Sequence, residues 1–205
     1  MFLNKDHWYD GWFYDKLIAP NQDKVFSYVK GLVELNSSLI DIGCGTGRLA
    51  FQMQDKCRKI DGVDLSQRNI LLAKKKLQKS NSTNINFHHS DIIIFLKNAY
   101  ASYNYAVLSY VLHEIHESQR EKILTTVSLY AEKIIIIDYL VPKPKNVWRY
   151  LNEIVEYFAG REHYDNFKSY IENGGLIELA DSSRLKISNE FINKSAGTHI
   201  AILQK

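Results

Sequence analysis

Three alternate glycines follow a short apolar run in the segment 41–47, which reads Asp-Ile-Gly-Cys-Gly-Thr-Gly. The apolar run 39–42 predicts a buried strand, and residues 49–54 predict the start of a helix. Glycine permits positive φ and a close approach of a ligand to the backbone. A helix start offers N–H groups that no carbonyl of the helix accepts. The pattern therefore predicts a loop that binds the polar end of a ligand at the carboxyl edge of the first strand.

Two acids stand at the ends of later predicted strands. Asp64 lies within the apolar segment 60–65, at a place where a carboxylate can bind both hydroxyls of a ribose. Asp91 follows the short segment 85–87 and precedes three isoleucines, 92–94. A carboxylate beside such an apolar patch can accept from an adenine amino group while the patch packs on the ring. The two acids predict a nucleoside ligand, although a tight turn with two helix N-caps would give the same residues.

The glycine spacing distinguishes between nucleotide sites. Dinucleotide sites use G-x-G-x-x-G, whereas Gly43, Gly45 and Gly47 follow G-x-G-x-G. The lysine of a P-loop is also missing, because Arg48 follows Gly47. The spacing therefore argues against a nicotinamide oxidoreductase and against a P-loop nucleotide-binding protein.

Strands and helices alternate through the first two thirds of the chain, so the sequence predicts an α/β domain with a parallel sheet and right-handed crossovers. The run Ile134–Tyr139 is apolar on both faces, as a strand covered on both sides must be. The other elements of this part are predicted as helices over 25–33, 70–77 and 123–131 and a strand over 105–109.

The pattern changes after Pro144. Amphipathic helices are predicted over 147–158 and 164–171, and the second is ended by Gly174-Gly175. Two final strands, 185–191 and 198–203, are predicted to pair antiparallel. The interpretation is a single domain, in which an N-terminal cover (1–24) and a helical cover insertion (144–175) lie over the carboxyl ends of the strands.

These residues resemble a known family, the class I S-adenosylmethionine-dependent methyltransferases. The glycine segment 41–47 looks like motif I, and Asp64 and Asp91 match the acids after the second and third strands. The resemblance implies a Rossmann-like doubly wound seven-stranded sheet, mostly parallel, with an antiparallel last strand. Residues 162–167 and 174–176 are also similar to small-molecule members of the ubiquinone/menaquinone-methyltransferase-like group.

The resemblance implies S-adenosyl-L-methionine as cofactor and S-adenosyl-L-homocysteine as product. Asp41 would anchor the methionine amino group, and Asp64 would bind the ribose hydroxyls. Tyr14 is a further candidate, since it could close over the methionine carboxylate. The other implied contacts are Gly43, Cys44 and Gly45 in the loop, Leu65, Asp91 and Ile92 at the adenine, and Ser109 and Tyr110 at the methionine moiety.

The acceptor side is predicted from position and residue type. His113 is the best-placed base beyond the fourth strand, for an acceptor that must lose a proton. His116 could form a metal-binding pair with it, but the pair is interpreted as solvated and no metal site is predicted. The aromatic residues near the two predicted covers favour an enclosed site for a small, apolar or aromatic acceptor. The residues expected to line it are Tyr139, Trp148, His163 and Tyr164.

Composition limits the partners. The formal net charge of +3 favours no nucleic-acid partner, and the chain lacks the Pro-Pro motif of base amino-group methylators. Cys44 and Cys57 are too few for a four-cysteine zinc site and suggest no secreted disulfide framework. We expect a cytoplasmic monomer or homodimer without a membrane span. A methyltransferase acting on RNA or protein, or a non-catalytic cofactor-binding subunit, remains an alternative.

Overall fold

The computed structural model describes residues 19–99, 102–143, 157 and 160–205. The chain divides into two units, Met1–Ala106 and Val107–Lys205. Tyr14 and Trp148 lie outside the described residues, as do most of the predicted N-terminal cover and of the helix predicted over 147–158.

Seven strands form one sheet in the order β3-β2-β1-β4-β5-β7-β6. The β1–β2 and β2–β3 pairs are parallel, while β7 pairs antiparallel with both β5 and β6. The predicted mostly parallel, Rossmann-like sheet with an antiparallel last strand is therefore confirmed. The strands are β1 (Ser37–Ile42), β2 (Cys57–Asp64), β3 (Ile85–His89), β4 (Tyr103–Ser109), β5 (Ala131–Tyr139), β6 (Lys186–Asn193) and β7 (Thr198–Gln204).

The described helices flank these strands in the chain. None of them is long and apolar enough to cross a membrane. They are α1 (Ala19–Leu32), α2 (Arg48–Met53), α3 (Gln67–Leu77), α4 (Ile92–Ala99), a short 3-10 helix η1 (Leu112–Glu114), α5 (Glu117–Val127), α6 (Arg161–Glu172) and α7 (Gly175–Ser182).

The glycine pair after α6 does more than end that helix, which is all that the sequence pattern predicts for it. Gly174 has φ of 78° and is the N-cap of α7, whose first residue, Gly175, has φ of 65°. The pair therefore joins two helices through a left-handed turn that glycine adopts without a Cβ penalty. The eight residues of α7 are too few to show the longer apolar repeat that would predict a helix.

The ring of Phe87, on β3, packs against two glycines, one on β2 and one in the loop after β1. A Cβ on Gly62 would lie 2.7 Å from the Phe87 ring, and a Cβ on Gly47 would overlap the same ring. Gly62 is paired with Phe87 in the sheet, and Phe87 is 4% exposed. The ring thus fills the space that side chains at both glycines would need, and it supports the loop after β1 from below.

We expect Gly47→Val to destabilise the fold. The valine would meet the Phe87 ring and adopt φ near the 83° of the glycine. Positive φ costs about 1–2 kcal/mol for an L-residue, and overpacking costs about 1–3 kcal/mol. A loss of about 2–5 kcal/mol in the free energy of unfolding, measured by urea denaturation, is therefore expected.

The matched control for this change is Gly31→Ala. Gly31 is an exposed helical glycine, and a Cβ added to it would have nothing within 4 Å. Alanine there should raise the free energy of unfolding by about 0.5–1 kcal/mol, because it is the better helix former. A Gly47→Val protein as stable as the wild type would contradict the packing of Phe87 under the loop.

Candidate functional site

The loop after β1 is held in a left-handed conformation by its three glycines. Gly43, Gly45 and Gly47 have φ of 69°, 52° and 83°. The amides of Gly43 and Cys44 both donate to the carbonyl of Val63, at 2.8 and 3.2 Å. The loop is thereby fixed to the carboxyl end of β2, which brings the glycine segment next to the acid that ends that strand.

Asp64 connects the loop to the start of α3. Its Oδ2 accepts from the amide of Gly45 at 2.7 Å, and its Oδ1 accepts from the amide of Ser66 at 2.7 Å. The carboxylate is partly exposed. It therefore shapes the loop as well as offering acceptor oxygens at the site predicted for a ribose.

Asp41, the last polar residue of β1, is the most unusual group of this unit. It is 1% exposed, and its Oδ2 has no hydrogen-bond partner among the described residues. Two effects raise the pKa of the Asp41 carboxyl to about 7: burial, which is the larger, and the nearby charge of Asp64. A hydrogen bond from the Ala50 amide acts in the opposite direction and lowers the pKa. A buried carboxylate with an unsatisfied oxygen is costly, so a cationic ligand group that reached it would be strongly favoured.

Cys44 lies in the same loop but has little reactivity. It is buried, and burial followed by the charges of Asp41 and Asp64 raises the pKa of its thiol well above the ordinary value. A thiol that resists ionisation is a poor nucleophile. Its predicted place in the loop is observed, and its side chain packs 3.0 Å from the Cβ position of Gly62.

Space is open above Gly45 and closed above Gly47. No residue in the described ranges comes within 4 Å of a Cβ position on Gly45, although its φ of 52° already favours glycine. This opening, the unsatisfied oxygen of Asp41 and the carboxylate of Asp64 belong to the same end of β1 and β2. The loop therefore fits a ligand that carries a cationic group and vicinal hydroxyls.

The segments predicted to contact an adenine lie at the ends of β2 and β3. His89 Nε2 lies 2.9 Å from the carbonyl oxygen of Leu65. Leu65 is half-buried, and Ile92 is 8% exposed. Asp91 Oδ1 accepts from the amides of Ile93 and Ile94 at 2.8 and 3.1 Å, so Asp91 caps α4. The helix-cap alternative is thus observed, and contact of Asp91 with adenine stays a prediction.

Ser109 and Tyr110 lie in the second unit, at the end of β4. The Oγ of Ser109 is buried and makes no hydrogen bond to any other described residue. Tyr110 has φ of 56°, donates its amide to the carbonyl of Ile137 at 2.7 Å, and places its hydroxyl 3.0 Å from Oγ1 of Thr198. Its left-handed backbone is uncommon for an aromatic residue, and strain of this kind concentrates at functional sites.

His113 lies on η1 and is bound to the buried Asp138 of β5. Its Nδ1 is 2.6 Å from Asp138 Oδ1, and the two side chains are 3% and 0% exposed. Asp138 also accepts from the amides of Leu112 and Tyr139, at 3.0 and 2.8 Å. Because a carboxylate accepts, Nδ1 of His113 carries the proton and Nε2 is the basic nitrogen. The arrangement is that of a histidine oriented by an acid.

Aromatic rings surround this histidine within the second unit. The ring of Tyr139 lies 4.8 Å from that of His113, and those of His163 and Phe167 lie at 5.8 and 6.0 Å. Tyr164 extends the group, with its ring 6.4 Å from that of Phe167. Of the residues predicted to line the acceptor site, Tyr139 and His163 therefore lie near His113, and Tyr164 lies near Phe167.

Sequence reasoning missed Asp138 and Arg120, and it considered Glu114 only as an acid near His113 and His116. Asp138 and Glu114 are visible in the sequence only as acids near the ends of β5 and β4. Arg120 is 4% exposed and has no local motif that marks it. His116, considered above as a metal partner of His113, instead caps α5, where its ring accepts from the amide of Ser118 at 3.4 Å.

Comparisons with known proteins agree with this fold. Residues 39–130 match the family described as "Methyltransferase domain". An uncharacterized methyltransferase of Staphylococcus carnosus (strain TM300) is 24% identical over 198 residues, which cover 90% of this chain and 88% of that protein.

Two solved structures are similar to the chain. One is magnesium protoporphyrin IX methyltransferase from Synechocystis PCC 6803 with bound SAH, with a TM-score of 0.60 and 16% identity, covering 91% of this chain and 83% of the other. The second is the mitomycin 7-O-methyltransferase MmcR, with a TM-score of 0.69 and 13% identity, covering 94% of this chain and 56% of the other. At these identities the structures support the fold alone.

Proposed function

We propose that the chain is a class I S-adenosylmethionine-dependent methyltransferase and that it transfers the methyl group to a small, apolar or aromatic acceptor. The match of residues 39–130 to the methyltransferase-domain family and the similar methyltransferase of Staphylococcus carnosus support the first part. The observation that supports an acceptor of this kind is the His113–Asp138 pair, which is buried among aromatic rings. Apolar walls with few oriented polar groups are typical of small-molecule sites. When bound, the cofactor supplies an activated methyl group for in-line displacement.

On the cofactor side, the first unit offers a complementary group for each part of the ligand. Asp41 would hold the methionine amino group, and Asp64 would bind the ribose hydroxyls. Gly45 would let the backbone approach the ligand, because the space above it is open. Leu65 and Ile92 would pack on the adenine, with Asp91 at its edge. Ser109 and Tyr110 would contact the methionine moiety.

Residues of the second unit would orient the acceptor and activate it for methyl transfer. Asp138 fixes the tautomer of His113 in which Nε2 is basic. An acceptor that must lose a proton would be activated at this nitrogen, and such assistance is worth about 10²–10⁴ in rate. Tyr139, His163 and Tyr164 would hold the acceptor and exclude water from it.

The test of the cofactor assignment is a calorimetric titration with S-adenosylhomocysteine, with NAD in a parallel cell. Binding of the first without the second supports the proposal, and binding of neither would favour the non-catalytic subunit. Acceptors are then sought by following S-adenosylhomocysteine formation with a panel of small phenols, thiols and amines. Activity only on RNA or protein would refute the small-molecule acceptor.

Asp64→Ala should weaken S-adenosylhomocysteine binding by about 1–3 kcal/mol, because hydrogen bonds to a charged group are lost. This is roughly a 5- to 150-fold rise in the dissociation constant. The control is Asp55→Ala, since Asp55 is an exposed acid of the same unit that pairs with Lys30. Unchanged affinity in the folded Asp64→Ala protein would refute the ribose assignment.

Binding should also depend on pH through Asp41. The folded pKa of about 7 means that this carboxyl is mostly protonated at pH 6. A cationic amino group prefers the carboxylate, so binding at that pH must release a proton. We expect affinity for S-adenosylhomocysteine to rise by up to about tenfold per pH unit between pH 5.5 and 7, and to level off above.

The control for this dependence is Asp41→Asn, which cannot release a proton. Its affinity at pH 8 should fall below that of the wild type, and its affinity should change little from pH 5.5 to 8. A variant that keeps the wild-type slope would show that another group, such as Asp64, controls the pH dependence.

A further inference from the structure

Two histidines and a glutamate converge in the second unit. One ligating atom from each of His113, Glu114 and His163 lies within 4.8 Å of the others. The Nε2 atoms of His113 and His163 are each 4.0 Å from Oε1 of Glu114. The histidine side chains are 3% and 6% exposed, whereas that of Glu114 is 40% exposed. The cluster therefore combines two buried imidazoles with a carboxylate that reaches the surface.

The donor set selects a class of metal ion. Two imidazole nitrogens and one carboxylate oxygen suit zinc and neighbouring divalent transition metals. Magnesium and calcium prefer oxygen ligands alone. Zinc with three protein ligands keeps a fourth position open for a water molecule or a substrate.

The surroundings of His113 provide a second, independent observation. Metal-bound histidines nearly always donate their other ring N–H to a carboxylate or carbonyl, which orients the ring. Nδ1 of His113 does this to Asp138 at 2.6 Å. Asp138 is itself held by backbone amides, among them those of Leu112 and Tyr139. Nε2 of His113 is thereby directed as a ligand nitrogen before any ion arrives.

Arg120 and Asn166 hold the two ligand-bearing elements together. Arg120 Nε donates to the carbonyls of Leu112 and Ile115 around η1, at 3.1 and 2.9 Å. Its Nη2 donates to the carbonyl of Asn166 on α6 at 2.5 Å. The amide group of Asn166 donates back to the carbonyl of Glu114 at 2.9 Å. The backbones of η1 and α6, which carry the three ligands, are thus fixed relative to one another within this unit.

The distances require only a small closure. Two ligands of a tetrahedral zinc ion, with bonds of about 2.0–2.1 Å, lie about 3.3 Å apart. The observed separations of 4.0 Å from Glu114 exceed this by less than about 1 Å. Side-chain rotation of the exposed carboxylate can close its own two separations, and the two imidazole nitrogens, which lie within 4.8 Å of one another, would also have to move closer together.

We infer that His113, Glu114 and His163 bind one divalent transition-metal ion, with zinc as the best match, and that its open position takes an oxygen of the acceptor. The second half of this inference rests on the proposed function, whereas the first does not. An ion on Nε2 excludes a proton there. In the metal-bound protein the ion would therefore replace Nε2 of His113 as the group that activates the acceptor. It would lower the pKa of the acceptor hydroxyl, and the proton of that hydroxyl would pass to water.

The experiment uses the full chain, freed of metal with a chelator and dialysed. Zinc is titrated by calorimetry and by competition with a chromophoric chelator, and cobalt(II) is added as a visible-absorption probe of nitrogen and oxygen ligands. We expect one ion per chain at micromolar or lower concentration. His163→Ala and Glu114→Gln should each raise the dissociation constant at least about tenfold, and Asp138→Asn should raise it about 10- to 100-fold through His113.

The control variant is His116→Ala, which removes an exposed histidine close in sequence but outside the cluster. It should bind zinc as the wild type does. Absence of stoichiometric binding overturns the inference, as does binding that survives both His163→Ala and Glu114→Gln or is lost in His116→Ala. Circular dichroism verifies that each variant is folded, and Glu114→Gln keeps the test sound if the buried His163→Ala does not fold.

Titration with S-adenosylhomocysteine in the same samples separates this inference from the proposed function. Metal binding without S-adenosylhomocysteine binding would leave the ion site standing and refute the cofactor assignment. The reverse result would refute the ion site alone. For an identified acceptor, a rate that is restored by zinc after chelation supports the open-position role, and an unchanged rate in the chelated protein excludes it.

Discussion

His113→Ala is expected to lower kcat by about 10²–10⁴, the usual contribution of a positioned group that assists proton removal. The ring is oriented by Asp138 and lies against Tyr139, so its removal deletes the activating nitrogen, while Asp138 keeps the amides of Leu112 and Tyr139 as donors. Affinity for S-adenosylhomocysteine should stay within about twofold, because the predicted amino-group and ribose contacts belong to the first unit. The measurement is turnover on an acceptor found with the wild-type protein.

The control for this prediction is His116→Ala. His116 caps α5 and should affect turnover little. If His113→Ala retained kcat within about threefold of the wild type, assistance of this size would be absent. Catalysis would then rest on positioning the acceptor against the methyl group, which is sufficient for an acceptor that is already deprotonated.

Gly45→Val is expected to abolish S-adenosylhomocysteine binding, with a rise of more than about 100-fold in the dissociation constant, because a side chain would occupy the place where backbone and ligand meet. The folded protein should tolerate the change, since no atom in the part of the chain that the structure describes lies within 4 Å of the Cβ position. Its cost to stability should be limited to the strain of positive φ, about 1–2 kcal/mol. Calorimetry measures the first effect and urea denaturation measures the second.

A matched control for the strain is Gly160→Val. Gly160 also has positive φ, 122°, and also has open space at its Cβ position, but it lies in the second unit. This variant should lose stability and keep its affinity for S-adenosylhomocysteine. If Gly45→Val bound the ligand normally while folded, the open space above the loop would not be the binding site.

The arrangement of residues at the carboxyl ends of β1 and β2 could be predicted from the sequence because its features are local. The glycines, Asp41 and the following helix are contiguous, and Asp64 ends the next strand. Parallel strands place such residues at one edge of the sheet. The sequence alone did not show that Asp91 would cap α4, since a cap and a ligand contact require the same residue type.

The group of residues around His113 could be predicted only in part, because its contacts join positions that are distant in the sequence. His113 bonds to Asp138, which lies on β5, and approaches His163, which lies on α6. Neither pairing leaves a periodic or spaced pattern in the sequence. The same holds for Arg120, whose hydrogen bonds are mainly to backbone carbonyls and so require no particular residue types as partners.

Phe87 makes the ligand-binding loop dependent on a strand that carries no predicted ligand contact. Its ring occupies the space above Gly62 and below Gly47, so the loop cannot relax towards the sheet while the ring is there. Position 87 and the two glycines should therefore constrain one another in related sequences, with larger residues at 47 or 62 accompanied by smaller ones at 87. Variation at this buried position would appear in binding assays as a change of cofactor affinity, although no cofactor contact is predicted for the side chain.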